Sequence, residues 1–384
     1  MKPHLLLLLV AAGVSSLPAQ PVAPVVPATA AAPNAGATAR LVSPEVAPDR
    51  RVTFRLAAPK ATEVVLSGEF MSGNKPLEKD AEGRWSVTVG PLEPEIYHYN
   101  FSIDGVRTID PANPEVKTGS TASTIQSILE VRGERPAFYD GQDVPHGEIR
   151  THWYRSKSLQ TLRRVNVYTP PNYDRDTIAR FPVLYLLHGA NADETAWQRL
   201  GRANLILDNL LAAGKTLPFI VVMPFGYGVP PATPAGPGEN TARFGQDLLE
   251  DLIPYIDTRY RTRAERDQRA LVGLSMGGGQ ALNIGLNHLE TFGTVGGFSS
   301  SAGRAEDHPK TYAKLLADMA GSAKKPRLIW IGCGREDGAF AGSKALSDFL
   351  TANKIAHTFY PSDGAHTWMV WRRYLQEISP QLFR

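Results

Sequence analysis

A chain of 384 residues is long enough for two domains and a large buried core. Lys and Arg number 41 against 38 Asp and Glu, a formal charge of +3 that excludes both a strongly basic nucleic-acid footprint and an acidic solvating composition. The single cysteine, Cys333, excludes an intramolecular disulfide, and beside apolar Ile331 it reads as a small buried residue rather than a nucleophile.

Lys2 precedes an apolar stretch from Leu5 to Leu17 and then Pro18-Ala19. That stretch is too short to span a bilayer and suits a secretory signal peptide over residues 1–19, so the mature chain is expected in a secreted or periplasmic setting without a membrane segment. Residues 20–48 are Pro, Ala and Val with almost no charge or aromatic group. They lack the apolar area to offset chain entropy and are expected to form a disordered tether.

Short alternating stretches begin at Arg51: Val52 to Leu56, Glu63 to Leu66, Arg84 to Val89 and Ile96 to Phe101, separated by Gly, Pro and Asn-Lys breaks. They predict a small β-sandwich over residues 49–133. The run Tyr97-His-Tyr-Asn-Phe-Ser-Ile-Asp-Gly105, followed by Asp110-Pro-Ala-Asn-Pro114, resembles the immunoglobulin-like family 48 carbohydrate-binding modules. That resemblance implies a glycan-handling or spacer module. Trp85, Tyr97 and Tyr99 are candidates for stacking on sugar rings, although alternation on a strand suits core packing better. Residues 134–149, rich in Gly and Pro, read as a linker.

From residue 150 to 384 the pattern changes. Apolar strands are expected at Val165–Tyr168, Pro182–Leu187, Phe219–Met223, Ala270–Val272, Thr294–Phe298, Arg327–Ile331 and His357–Tyr360. Helical patterns lie between most of them, at Thr195–Ala213, Arg243–Tyr260, Met276–Leu289, Lys310–Met319 and Phe340–Asn353, with another after His366. Near-continuous apolar strands alternating with helices predict an α/β domain, a mostly parallel sheet covered on both faces, with its site at the carboxyl ends of the strands.

Three of those ends carry chemistry. Gly273-Leu-Ser275-Met-Gly277 places a serine on a tight turn from strand to helix, where side chains at 273 and 277 would collide and backbone N–H groups face the space above the hydroxyl. Alone the motif is short enough to arise by chance, so partners are needed. The strand ending at Ile331 exits into Gly332-Cys-Gly-Arg-Glu336-Asp337, and the strand ending at Tyr360 exits into Pro361-Ser-Asp363-Gly-Ala-His366. A serine hydroxyl needs a histidine to take its proton and a carboxylate to orient that histidine. His366 is the candidate base; His188 reads as shaping its own loop, and His288 and His357 as structural. Glu336, Asp337 and Asp363 all remain candidate acids on position alone. The long Pro- and Gly-rich loop after Met223 predicts a pocket wall with Phe225 and Tyr227, and Trp368 sits just past the histidine. No His and carboxylate cluster has metal-ligand spacing, so neither metal nor cofactor is expected.

Residues 150–384 resemble the esterase D group of α/β-hydrolases, which includes the feruloyl and acetylxylan esterases of carbohydrate esterase family 1. The likeness rests on Val167-Tyr-Thr-Pro-Pro-Asn-Tyr173, Leu187-His-Gly189 with Trp197 downstream, Asp247 to Tyr260 ahead of Gly273-Leu-Ser-Met-Gly-Gly278, Cys333-Gly-Arg-Glu-Asp337, and Gly364-Ala-His366-Thr-Trp368. The resemblance implies Ser275 as nucleophile, His366 as base and Asp337 as acid. By position, the oxyanion hole is expected from the backbone N–H groups of Met276, just after the nucleophile, and of Ala190, in the loop after the strand ending at Leu187, with Phe225, Tyr227 and Trp368 expected around the substrate. The family more often shows Gly-Gly-His where this chain has Gly364-Ala365-His366. The expected substrate is a xylan-type polysaccharide ester, feruloyl first and acetyl second. The alternatives are another acyl ester, such as a siderophore, trehalose or lipid ester, and a non-catalytic glycan binder.

Overall fold

The computed structural model describes residues 41–236, 238–300, 302–321 and 325–384; the expected signal peptide and most of the expected tether lie outside them. Ten strands build the first part: β1 (Glu45–Val46), β2 (Val52–Ala57), β3 (Val64–Gly68), β4 (Asn74–Pro76), β5 (Glu78–Lys79), β6 (Arg84–Val89), β7 (Glu95–Ile103), β8 (Val106–Thr108), β9 (Val116–Lys117) and β10 (Gln126–Val131). One sheet runs β1-β2-β6-β5, the other β4-β3-β7-β10-β9 with β8 on β7. Alternate residues of the two sheets share one core, Val52, Phe54 and Leu56 meeting Val64, Leu66, Phe101 and Leu129. Trp85, Tyr97 and Tyr99 lie in that core, each with its polar atom bonded internally. They are packing residues and offer no face to a sugar.

The boundaries differ from expectation in two places. β1 pairs with β2, and Ser43 donates to buried Asp110 at 2.5 Å, so ordered structure starts inside the stretch read as tether. A two-residue edge strand leaves almost no hydrophobic signature. The stretch 134–149 is packed rather than free: Tyr139 is buried, Asn209 donates to the carbonyls of Phe138 and Asp140 at 2.9 Å each, and the next strand already starts at Glu148.

That strand opens an eight-stranded sheet: β11 (Glu148–Ser156), β12 (Thr161–Thr169), β13 (Val183–Leu187), β14 (Ile220–Pro224), β15 (Arg269–Leu274), β16 (Thr294–Phe298), β17 (Leu328–Gly334) and β18 (Thr358–Ser362), in the order β11-β12-β14-β13-β15-β16-β17-β18. From β14 to β18 every pairing is parallel, whereas β11 with β12 and β12 with β14 are antiparallel. The helices are α1 (Ala196–Arg199), α2 (Ala203–Ala212), α3 (Glu239–Gln246), α4 (Ile253–Arg259), α5 (Ser275–Gly285), α6 (His308–Thr311), α7 (Ala313–Ala320), α8 (Phe340–Ala352) and α9 (Trp368–Ile378). Period-2 alternation divides each strand between two cores. Val183, Tyr185 and Leu187 face α3, α4, α5, α7 and α8, while Leu184 and Leu186 face α1, α2 and α9. The helix expected over 195–213 is broken at Arg202, which takes a left-handed φ of 50°. A six-residue π-helical stretch, Asp247–Leu252, joins α3 to α4. Among the described residues no helix is long and apolar enough to cross a membrane.

Sandwich and sheet meet along α9. Ile96 and Ile128, on the outer face of the six-stranded sheet, belong to the same core as Trp371, Tyr374 and Leu375. Among them the fully buried Arg372 bonds Glu95, donates to the Leu200 carbonyl at 2.6 Å and lies 4.8 Å over the Tyr139 ring. Removing one member of such a pair strands the other charge in a dry interior. Arg372→Met is therefore expected to lower unfolding free energy by about 3 to 5 kcal/mol, and Glu95→Gln by less, both read from urea denaturation. Unchanged midpoints in both variants would remove this pair from the docking of the two parts.

Candidate active site

β15 ends at Leu274 in extended conformation, and the next residue, Ser275, turns to φ 52° as the first residue of α5. The turn is tight because nothing fits inside it. A Cβ on Gly273 would stand 2.5 Å from the Gly277 carbonyl carbon and 2.8 Å from Leu187 Cβ; one on Gly277 would stand 2.7 Å from Leu187 Cβ. A left-handed non-glycine residue is costly by roughly 1 to 3 kcal/mol and persists where its surroundings dictate it. Here the reward is a hydroxyl lifted clear of the sheet at the N-terminus of an eleven-residue helix, beside the free N–H end that favours negative charge.

Two further strand ends complete the row. The loop after β17 places Asp337, whose side chain is buried, and the loop after β18 places His366. His366 Nε2 lies 2.9 Å from Ser275 Oγ, and its Nδ1 lies 3.0 Å from each oxygen of Asp337. The three residues are thus brought together in one hydrogen-bonded line. Geometry also separates the acids. Glu336 turns its carboxylate to the backbone N–H of Gly364, and Asp363 points to solvent, paired with Arg335 at 3.1 Å. Asp337 is held in place by the Ala339 N–H at 2.8 Å. The two loops are laced directly, with the Arg335 N–H on the Ser362 carbonyl at 2.8 Å. Of the other histidines, His288 pairs with Glu290 and His357 with Ser347. Cys333 is fully buried, with its thiol pushed up to about 11 by desolvation.

Ala190 and Met276 flank the serine from two sides. The loop after β13 passes so close that a Cβ on Gly189 would come within 3.1 Å of Ser275 Cβ. Among the described residues the Ala190 N–H has no protein acceptor, and Met276, as the second residue of α5, has an N–H that the helix itself does not satisfy. Met276 Sδ lies 3.7 Å from Asn240 Nδ2, away from that role.

His188 explains the loop's shape. It is buried, accepts the Gly226 N–H on Nε2 at 2.9 Å, and is therefore left to donate from Nδ1 to the Gly189 carbonyl at 2.8 Å. Gln280 holds the next peptide of the same residue, donating to the Gly226 carbonyl at 2.8 Å. One neutral imidazole thus ties the loop of residues 188–191 to the loop that follows β14, and desolvation pulls its pKa from the ordinary 6.5 to about 4.

The cavity that contains Ser275 and His366 has a volume of about 280 Å³, and Ala190, Asn191, Trp368 and Trp371 lie on its walls. Trp368 is where the sequence suggested. Phe225 and Tyr227 are not: they line a separate hollow of about 410 Å³ together with Trp153 and Arg164. The reason is Arg163, whose guanidinium bonds the carbonyls of Phe225 and Tyr227 and draws the loop to the far side. Both rings pack against His188, and the Tyr227 hydroxyl accepts the Asn191 N–H at 2.9 Å, so they brace the loop from behind. The sequence reading also missed four polar wall residues, Glu69, His98, Lys117 and Gln126, which come from the sandwich. Nothing in an isolated β-strand pattern marks the face that another domain will cover.

With the geometry described, known proteins can be compared. The model of the Esterase family matches residues 156–382. An endo-1,4-beta-xylanase/feruloyl esterase of Xylanibacter ruminicola is 34% identical over 339 residues, 86% of this chain and 44% of the relative. The chain spans less than half the length of the first curated relatives that it matches. The solved ferulic acid esterase of Anaeromyces mucronatus is 26% identical with a TM-score of 0.57, covering 65% of this chain and 96% of its own. Enterochelin esterase of Shigella flexneri shares the fold over 87% of this chain and 92% of its own, with a TM-score of 0.64 and 20% identity.

The buried imidazole has a measurable consequence. Between pH about 4 and 6.5 the unfolded chain binds a proton at His188 that the folded chain does not, so stability rises with pH through that window and is full above it. The shift corresponds to about 3 kcal/mol. His188→Asn is expected to be less stable than wild type at pH 7.5, with the gap narrowing by about that amount toward pH 4, as read from denaturant midpoints. A gap that does not change with pH would show that His188 is not held neutral.

Proposed function

This chain belongs to the Esterase family and is a carboxylic ester hydrolase, and from that premise we propose that it removes acyl groups, feruloyl first and acetyl second, from xylan-type polysaccharide through an acyl-enzyme on Ser275. The observation that carries the proposal is the unbroken row from Ser275 Oγ through His366 to Asp337. His366 Nε2 accepts the serine proton as Oγ attacks the ester carbonyl. Asp337 accepts from Nδ1–H, fixing the tautomer and stabilising the imidazolium that forms. The oxyanion meets the N–H groups of Ala190 and Met276, where one such donor is worth roughly 3 to 4 kcal/mol. His366 then gives its proton to the departing sugar oxygen and takes one from the water that releases the acid.

The acyl preference draws its support from the xylanase and feruloyl esterase names of the relatives, and the polymeric alcohol from the same source. The sandwich, by its likeness to carbohydrate-binding modules, belongs to that reading too. A polymer of this kind stays outside the cell, which the export signal expected at residues 1–19 would match.

Ser275→Ala is expected to lower kcat on methyl ferulate and on p-nitrophenyl acetate by on the order of 10⁴-fold or more, and Asp337→Asn by roughly 10³- to 10⁴-fold. Turnover retained by the serine variant would end the assignment. Wild type releasing acetate but no ferulate from xylan oligosaccharides would replace the feruloyl reading with the acetyl one.

A further inference from the structure

At the edge of the eight-stranded sheet, the hairpin of β11 and β12 holds two large apolar side chains in the open. Trp153 is 58% exposed and Leu162 is 54% exposed. Trp153 stands opposite Arg164, and Leu162 opposite Arg155. Side chains of paired strands alternate between the two faces, so Trp153, Leu162 and Arg164 share one face, while Tyr154 and Arg163 turn inward and are buried. β12 pairs with β14 from Val165 onward, with Val165 opposite Pro224, so residues 161–164 overhang the end of β14. The overhang and the loop that follows β14 enclose the hollow of about 410 Å³ in which Phe225 and Tyr227 lie. It is larger than the Ser275 cavity of about 280 Å³. Edge strands are usually blunted by charge, whereas here rings gather at the edge.

Three arginines line the hollow and no carboxylate does. Two of them are already answered from behind. Arg163 pairs with buried Asp247 at 2.9 Å, and Arg164 with buried Glu194 at 2.7 Å. Arg164 also lies 5.6 Å over the Trp153 ring. Arg243, on α3, is different. Its one ion-pair partner among the described residues is Glu239 at 3.9 Å, beyond hydrogen-bond reach. The loop passes α3 so closely that a Cβ on Gly228 would stand 2.9 Å from Arg243 Cβ, which fixes where the Arg243 stem leaves the wall. The hollow therefore offers flat apolar surface and one cation without a close partner. A neutral ligand would leave the cation unanswered, and a small inorganic anion would leave the rings bare. A planar ring that bears a carboxylate suits both, the ring against Trp153, Leu162 and Phe225 and the carboxylate against the guanidinium fork of Arg243.

We propose that this hollow is a second, non-catalytic site that binds an aromatic carboxylate of the hydroxycinnamate kind. The ligand class follows from the lining and goes beyond the Ser275 reading, since it does not depend on which acyl group the serine takes up. Where that group is feruloyl, the acid set free is itself a ligand of the hollow.

The test reads the site directly. The full chain holds six tryptophans, and after nitrogen-15 labelling of the indoles the Trp153 N–H signal is identified by its loss in Trp153→Ala. Ferulate titrated into wild type is expected to move that signal with a Kd on the order of 1 mM or tighter. The signals of Trp368 and Trp371 report separately on the Ser275 cavity. Coniferyl alcohol, the same ring without the charge, and glucuronate, a carboxylate without the aromatic ring, are each expected to bind about tenfold more weakly. Arg243→Gln is expected to weaken ferulate about fivefold or more, and both variants to keep kcat/KM on p-nitrophenyl acetate within about twofold of wild type. A Trp153 signal unmoved at about 10 mM ferulate, or movement confined to Trp368 and Trp371, overturns the proposal. Coniferyl alcohol or glucuronate binding as tightly as ferulate overturns it too, as does an unchanged ferulate affinity in Arg243→Gln or a larger loss of turnover in either variant. If Arg243→Gln does not fold, the comparison of the three ligands decides. No binding arm requires hydrolysis of a feruloyl ester, so failure of that reading and failure of this one are told apart.

Discussion

At the crossing of β15 into α5 the chain has no room for a Cβ on either side of Ser275, because Leu187 and the Gly277 backbone already occupy the space. Everything else in the site depends on that contact. It forces Ser275 into the left-handed region, which raises the hydroxyl above the sheet and turns the first N–H groups of the helix toward it. The neighbouring parallel strands then set how far away the partners lie. β17 and β18 end side by side, so Asp337 and His366 arrive in register to extend the line begun by the serine. A parallel sheet suits this purpose because all its carboxyl ends open on one edge.

A second constraint acts at a distance. α9 starts two residues past His366 and buries Arg372 against Glu95 of the sandwich. The helix that follows the histidine is therefore the one that docks the other domain, and Trp371 serves both, packing edge-on to the His366 ring at 5.0 Å while sharing a core with Ile96 and Ile128. Through this one helix, the placement of the sandwich and the placement of the histidine are mechanically linked. β7 carries the trace in sequence terms: its inner face holds Tyr97, Tyr99 and Phe101, while on its outer face Ile96 and Asn100 are buried and His98 and Ser102 are half-buried.

Much of the larger domain was legible. Each of the seven anticipated strands is present, since runs such as Val183–Leu187 are apolar on both faces and admit no other placement. β11 escaped notice because it is an edge strand, with polar residues over most of its length. Helix ends were less legible: the break at Arg202 follows Gly201, and the π stretch after Gln246 runs into a helix with Pro254 in its first turn, single breakers that the apolar period around them masked. Among candidate site residues, Ser275, His366 and Trp368 line one cavity, and Asp337 lies buried behind His366, bonded to its Nδ1. Phe225 and Tyr227 are not, because Arg163, more than sixty residues earlier, captures their carbonyls.

By itself, the sequence determined the order of strand, turn and helix around Ser275 and the presence of a histidine and an acid just past two later strands. These are local properties, set by side-chain period and by glycine at two positions. Position along the chain left three acids open and only the family resemblance singled out Asp337; tertiary structure decided the geometry that puts Asp337 on His366, which loop braces residues 188–191, and that a face of the sandwich lines the cavity. Those outcomes depend on contacts between residues far apart in the chain, such as Arg372 with Glu95, where the energy lies in burial and pairing that no local pattern records.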